Sequence, residues 1–133
     1  MNEDSDEAEN HLDINEMAEK VIGCAYKVSN SLGAGFLEKV YENSLAIEVE
    51  KQGLKTKQQY PITIKYGESV VGEYIADLLV EDCLLVEIKA VSEFEKIHFA
   101  QCLNYLKATG LKVCLLINFG KTKVKVRRFS NHF

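Results

Sequence analysis

The stretch Leu84–Ala90, LLVEIKA, decides the fold of this chain. Its apolar residues are those of a core strand, yet Glu87 and Lys89 stand inside it. Side chains two residues apart in a strand lie on the same face. Burying a charged group is costly unless the group is paired or bound to a metal. The stretch therefore predicts a core strand that carries an ionic or a functional site.

A second carboxylate lies in the strand predicted just before it. Asp77 stands in the apolar run Tyr74–Val80, and a short link to the next strand predicts a hairpin. A two-residue loop would turn Asp77 away from Glu87, whereas a loop of Glu81, Asp82 and Cys83 would pair them directly. Paired residues lie about 4.5–5.5 Å apart at Cβ, and a hard cation such as Mg²⁺ would relieve the repulsion of two carboxylates there. We therefore predict an odd-length loop or a bulge at 81–83, together with a metal site.

Lys89 shares the strand face of Glu87. An ammonium group beside a metal-bound water and a scissile phosphate can position the nucleophile and stabilise negative charge. The alternative is a cross-strand ion-pair cluster of Asp77, Glu87 and Lys89 without chemistry, because such clusters also occur in sheets. Spacing alone leaves both interpretations open.

Outward from this stretch, the sequence predicts an α/β fold in the order α-α-β-β-β-α-β-β around a mixed β-sheet of about five strands. The predicted helices start at a capping box of Asp13 and Glu16, at about Phe36, and at a capping box of Ser92 and Glu95; they end at Gly33, Gly53 and about Thr109. The predicted strands are Gln59–Tyr66, with Pro61 marking an edge position or a strand start, Val70–Val80, Cys83–Ala90, Leu111–Phe119 and Thr122–Phe129. The third helix would join two parallel strands by a right-handed crossover.

Length and charge predict a single domain, residues 13–133, after an acidic, disordered tail of residues 1–12. Residues 1–19 hold eight acidic and no basic residues, so the remaining chain is net positive although the whole chain carries −4. Nucleic acid therefore stays open as a partner. The four cysteines form no CxxC pair, the N-terminus is unlike a signal peptide, and no apolar run reaches about 18 residues. These features predict a cytoplasmic protein with reduced thiols and no membrane span.

Three motifs resemble those of known nucleases. Asp77 followed by 87-EIK-89 and a helix resembles the PD-(D/E)XK nuclease superfamily, with Ala76 in place of the nominal Pro. The segment 35-GFLEKVY-41 matches the G-x-x-E-x-x-Y signature of the GxxExxY protein family, and 101-QCLNY-105 resembles the Q-x-x-x-Y pattern of RecB-like members. The resemblance covers roughly residues 14–129. It implies a restriction-endonuclease-like core and hydrolysis of phosphodiester bonds with Mg²⁺ or Mn²⁺. DNA is the expected substrate, and RNA stays open as the alternative.

The resemblance also implies roles for individual residues. The metal would be held by Asp77, Glu87 and the backbone carbonyl of Ile88, and the catalytic residues would be Lys89, Glu38 and Gln101, with Tyr41 and Tyr105 in support. Glu38 could instead simply stabilise a helix N-terminus, and the polar edge of an amphipathic helix would account for Gln101 and Tyr105. His98 is expected to be structural, and Glu42 is expected at the surface.

A run of alternating charges closes the chain. In 121-KTKVKVRRF-129, four basic residues alternate with Thr122, Val124 and Val126, which predicts a strand with one basic face; these are Lys121, Lys123, Lys125 and Arg127. Such a face could contact phosphates without sequence preference, or it could only protect a sheet edge from aggregation. The rival to a nuclease is a non-catalytic nucleic-acid- or protein-binding module that retains the fold. A homodimer or a partner protein, the strandedness of the substrate, and one metal or two all remain open.

Overall fold

The structure is a computed structural model, and it describes residues 12–132. Its elements are α1 (Ile14–Leu32), α2 (Glu38–Lys51), β1 (Thr56–Tyr66), β2 (Ser69–Val80), β3 (Leu84–Lys89), α3 (Lys96–Thr109), β4 (Val113–Asn118) and β5 (Lys125–Ser130). This order confirms the predicted one. The predicted acidic tail lies, except for Leu12, outside the described residues. Within those residues, no helix has both the length and the apolarity needed to cross a bilayer.

The five strands form one mixed sheet in the order β1-β2-β3-β4-β5. Strands β3 and β4 are parallel, as predicted for strands joined by a helix, and all other neighbours are antiparallel. Strand β1 lies at the edge of the sheet. An edge strand tolerates Pro61, which has no N–H to donate, because one side of the strand has no neighbour to pair with. All six residues of β4 are buried, as its continuous apolar run predicted.

Helices cover the sheet on both faces. Helices α1 and α2 pack on one face, against residues such as Val86, Ile88 and Leu115, whereas α3 packs on the other, against Leu85 and Leu116. The alternation of side chains along each strand divides the core between the two layers. The parallel strands β3 and β4 therefore lie between the two helical layers.

Two helix starts differ from the predicted ones. Helix α2 begins at Glu38 rather than Phe36, because Gly35 is left-handed at φ 113° and Leu37 is extended. Helix α3 begins at Lys96 and not at the predicted capping box of Ser92. Its N-cap is Glu95, whose N–H donates to His98 Nδ1 at 3.0 Å. Local backbone geometry, rather than the Ser-x-x-Glu pattern, sets the start of α3.

The hairpin between β2 and β3 has the predicted odd-length loop. Residues 81–83 form the turn, with Glu81 and Asp82 left-handed, and Val80 pairs with Leu84. The last backbone pair of the ladder is Leu78 with Val86, and the same register places Asp77 opposite Glu87.

A buried asparagine fixes the chain where it leaves β3. Asn118 Oδ1 accepts from the N–H groups of Val91 (3.0 Å) and Gly120 (2.9 Å), and its Nδ2 donates to the carbonyl of Val91 (2.8 Å). Gly120 lies so close to the Val91 backbone that a Cβ there would overlap it. The segment that follows Lys89 is therefore held against the end of β4.

This close approach predicts opposite effects for two glycine substitutions. Gly120→Ala should lower the free energy of unfolding by about 1–3 kcal/mol or more, because backbone atoms must move to admit the methyl group. Gly23→Ala, in the middle of α1 with open space around it, should raise it by about 1 kcal/mol through helix propensity. Urea denaturation of both variants measures the difference, and equal stability of the Gly120→Ala protein and the wild type would contradict the close packing.

Candidate active site

Two carboxylates join the open ends of β2 and β3. The N–H of Asp77 donates to Glu87 Oε2 at 2.7 Å, and the N–H of Ile88 donates to Asp77 Oδ2 at 2.8 Å. These bonds continue the pairing of the strands beyond the last backbone pair. Each carboxylate is thus oriented by the backbone of the opposite strand, a geometry that the loop at 81–83 makes possible.

Both carboxyl groups have raised pKa values. Glu87 is only 2% exposed, and burial, followed by the charge of Asp77, raises its pKa from 4.5 to about 9, against the opposing effects of the Asp77 N–H and Lys89. Burial also raises the pKa of Asp77; the hydrogen bond from Ile88 opposes this, and the charge of Glu42 adds to it. At neutral pH, Glu87 therefore keeps its proton. A cation placed between the two carboxyl groups would favour their ionised forms.

Lys89 lies near both acids but forms no ion pair. Within residues 12–132, no carboxylate oxygen lies within 4.0 Å of its ammonium nitrogen. Its charge nevertheless lowers the pKa values of Asp77 and Glu87. The purely structural interpretation required a cross-strand salt bridge, and the described residues contain none at this place.

Glu38 was expected at the metal site and Glu42 at the surface, but Glu38 is exposed and Glu42 is buried. Glu38 is exposed in the first turn of α2, and its charge raises the pKa of Asp77 only weakly. The surface position expected for Glu42 is wrong, because this residue is 3% exposed and its charge affects Asp77 more strongly. The signal was present in the sequence: Glu42 belongs to the helical stripe of Leu45, Ala46 and Val49, which is buried.

The motif Gly35–Tyr41 builds the loop that leads into α2. The ring of Tyr41 is fully buried and stacks on Phe119 with centroids 4.7 Å apart. Its hydroxyl donates to the carbonyl of Gly33 at 2.6 Å and accepts from the N–H of Phe36 at 3.2 Å. The left-handed Gly35 confirms the expected turn. Tyr41 is therefore a packing residue whose hydroxyl fixes the loop before Glu38.

Gln101 and Tyr105 link α3 to β2. Gln101 Nε2 donates to the Tyr105 hydroxyl at 2.8 Å, and that hydroxyl donates to the carbonyl of Ile75 at 3.1 Å. Ile75 lies two residues before Asp77. Among residues 12–132, Gln101 has no hydrogen bond to Asp77, Glu87 or Lys89. Through Tyr105, Gln101 supports the position of β2. The predicted support of Lys89 by Gln101 involves no direct hydrogen bond between them among the described residues.

The four predicted phosphate contacts do not lie on one strand. Strand β5 begins at Lys125, so Lys121 and Lys123 belong to the loop before it, although Val124 is buried as the predicted apolar face requires. Lys121 lies 4.0 Å from Glu93, and Arg127 lies over the rings of Phe99 and Phe129. Lys125 pairs with Asn118, which in turn pairs with Lys89. The prediction of a continuous basic strand face is wrong, but Lys125 lies at the same end of the sheet as the two acids.

The donor groups of this site suit a hard cation. No cluster of three or more His, Cys, Asp or Glu side chains in the described part of the chain is arranged to hold a metal. Mg²⁺ commonly takes one or two carboxylates and completes its shell with water and substrate oxygens, and Asp77 and Glu87 supply two. The N–H of Ile88 faces β2, so its carbonyl points to the same side.

The raised pKa of Glu87 predicts how stability depends on pH. Between pH 4.5 and about 9, Glu87 is ionised in the unfolded chain but protonated in the folded protein, so the free energy of unfolding falls as pH rises. The slope from this group is at most about 1.4 kcal/mol per pH unit. Glu87→Gln keeps an oxygen for the Asp77 N–H and removes the titration. With divalent ions chelated, its urea-denaturation stability should exceed that of the wild type at pH 8 by more than at pH 5, and parallel pH profiles would contradict the assignment.

One of three comparisons with known proteins gives a match. A family model described as the PD-(D/E)XK nuclease superfamily matches residues 15–129. Neither a curated protein nor a solved structure matches the chain. The match spans all eight elements up to β5 and includes Asp77, Glu87 and Lys89. The chain with this opposed pair of acids belongs to the PD-(D/E)XK nuclease superfamily.

Proposed function

We propose that this protein is a nuclease of the GxxExxY type that hydrolyses phosphodiester bonds in DNA with Mg²⁺ or Mn²⁺. The observation that carries the proposal is the opposed acid pair Asp77 and Glu87 beside Lys89, a lysine that no carboxylate within residues 12–132 neutralises. The superfamily suggests a nuclease-like function and usually uses divalent metal ions. The basic body of the chain suits a polyanionic substrate in the cytoplasm.

Asp77, Glu87 and the Ile88 carbonyl would hold the cation. When bound, the ion would polarise a phosphoryl oxygen and lower the pKa of a bound water. Glu87 must release its proton to act as a ligand, because its pKa of about 9 leaves it protonated at neutral pH.

Lys89 would act on the substrate rather than on a neighbouring acid. Because its ammonium group forms no salt bridge within the described residues, its three N–H donors remain for a water molecule and a phosphate oxygen. The chain after Lys89 is fixed by Asn118, and the N–H of Phe119 donates to the Lys89 carbonyl at 2.8 Å. This fixed backbone favours a defined position for the ammonium group, as electrostatic stabilisation of a phosphorane-like charge requires.

Other predicted residues would assist at the margins of the site. Glu38 lies exposed at the start of α2, where it can orient a water or extend the acidic shell, and Gln101 would act through Tyr105. Lys125 would contact a phosphate at the end of the sheet, where its strand pairs with Asn118. Such contacts give salt-dependent affinity without sequence preference.

Metal binding is the first test of this proposal. Mn²⁺ at 100 times its Kd should stabilise the wild type by about 2.7 kcal/mol. Asp77→Asn keeps an oxygen for the Ile88 N–H but loses the charge, so its melting temperature should not respond to Mn²⁺. Glu68→Gln, on the exposed β1–β2 turn, is the matched control and should respond as the wild type does. A Mn²⁺ response that is unchanged in Asp77→Asn would place the cation elsewhere.

Turnover is the second test. Lys89→Ala should keep the Mn²⁺-dependent rise in melting temperature but lose DNA cleavage by about 10²–10³-fold, the usual effect of removing one charge-stabilising donor. Lys65→Ala, on exposed β1, should cleave as the wild type does. Nicking of supercoiled plasmid and degradation of single-stranded DNA and RNA measure the rates. A wild type that binds Mn²⁺ but cleaves none of these substrates would favour the non-catalytic binding module.

A further inference from the structure

Glu42 is a buried carboxylate with several donors. Its Oε2 accepts from Lys39 Nζ at 3.0 Å and from Gln58 Nε2 at 2.6 Å, and its Oε1 accepts from Gln59 Nε2 at 2.7 Å. Lys39 offsets its charge and both of its oxygens are occupied. Glu42 therefore lies near Asp77 with its charge already offset by an ammonium group, whereas Asp77 accepts from two uncharged donors, the N–H of Ile88 and the amide of Gln59.

The side-chain amide of Gln59 lies between this carboxylate and Asp77. Gln59 Nε2 is 2.7 Å from Glu42 Oε1 and 3.4 Å from Asp77 Oδ1. Both partners are acceptors, so the NH₂ group must face them, and its two N–H bonds provide one donor for each. An amide is also uncharged. It can orient Asp77 without neutralising the charge that a cation needs, which a lysine at the same position would do.

The backbone of Gln59 has an uncommon conformation that makes this contact. Gln59 is left-handed at φ 54°, and the β1–β2 ladder omits its pair with Asp77 although the flanking pairs are in register. Side-chain alternation breaks at the same place in β2. Ala76 packs with the α3 layer, yet Leu78, two residues on, packs with the α1–α2 layer. Non-glycine residues in this region are strained, and such residues concentrate at functional sites.

We propose that Gln59 is a positioning residue of the metal site. It ties Asp77 Oδ1 to Glu42 on α2, which sets the orientation of the Asp77 carboxylate toward the cation and keeps Glu42 out of the ligand set. The inference rests on the proposed cation at Asp77 and Glu87, and it assigns a function to two side chains outside the superfamily motif.

The neighbouring glutamines offer a matched pair of variants. Gln59→Gly removes the amide but retains the left-handed backbone, which glycine adopts without strain. Gln58→Ala removes an equally exposed glutamine that donates to Glu42 and Asn43 but not to Asp77. Titration calorimetry with Mn²⁺ on the full chain gives the affinity, the electron paramagnetic resonance spectrum of bound Mn²⁺ reports its ligand geometry, and the melting temperature in chelator reports folding.

The expected result is a loss of affinity that stability does not explain. Gln59→Gly should weaken Mn²⁺ binding by about tenfold or more, as loss of a group that orients a ligand does, and should alter the Mn²⁺ spectrum. Its melting temperature in chelator should fall no further than that of Gln58→Ala, because each variant removes one donor to the buried Glu42. Gln58→Ala should bind Mn²⁺ as the wild type does. Equal affinities of Gln59→Gly and wild type would overturn the positioning role and leave the proposed function intact. Equal losses of Mn²⁺ affinity in Gln59→Gly and Gln58→Ala would also overturn the positioning role, because Glu42, to which both glutamines donate, would then account for the loss. A wild type that binds no Mn²⁺ would overturn the proposed function and the inference together.

Discussion

The reciprocal hydrogen bonds between β2 and β3 are the constraint on which the site depends. Two backbone N–H groups that would otherwise continue the ladder donate to carboxylates instead, at 2.7 and 2.8 Å. Hydrogen bonds to charged groups contribute roughly 1.5–3 kcal/mol each, whereas burying an uncompensated carboxylate costs several kcal/mol. The fold therefore holds the two carboxyl groups in place, but burying their negative charges costs more free energy than the two hydrogen bonds contribute. This imbalance explains why Glu87 retains a proton and why a cation would complete the arrangement.

Three buried polar side chains hold the backbone around that pair. Tyr41 fixes the loop before α2, Tyr105 fixes β2 two residues before Asp77, and Asn118 fixes the chain just after Lys89. Each of them donates a hydrogen bond to a backbone carbonyl, and within residues 12–132 none of them is hydrogen-bonded to Asp77 or Glu87. These side chains therefore position the reactive groups from outside the site.

Much of this arrangement could be predicted from the sequence because it follows from short-range rules. The apolar run of β4, the edge proline in β1 and the glycine turns gave the order of elements, and the alternation in β3 gave the shared face of Glu87 and Lys89. The loop at 81–83 was predicted from electrostatics, since only an odd length brings the carboxylates together. The start of α3 was predicted wrongly because the cap at Glu95 overrode the Ser-x-x-Glu pattern. The basic strand was predicted wrongly because pairing with β4 begins only at Lys125, which leaves Lys121 and Lys123 outside the ladder.

Glu42 and Gln59 could not be predicted with the same rules because their positions depend on a break in those rules. Period 2 along β1 would place Gln58 and Gln59 on opposite faces, but the left-handed backbone at Gln59 lets both reach Glu42. The matching break in β2 occurs at Asp77, directly across the hairpin. Strict alternation suits packing, since it divides apolar side chains between two layers. A polar site between the layers instead needs side chains that depart from strict alternation. Strands β1 and β2 provide them at Gln59 and Asp77, where the ladder between the two strands is interrupted.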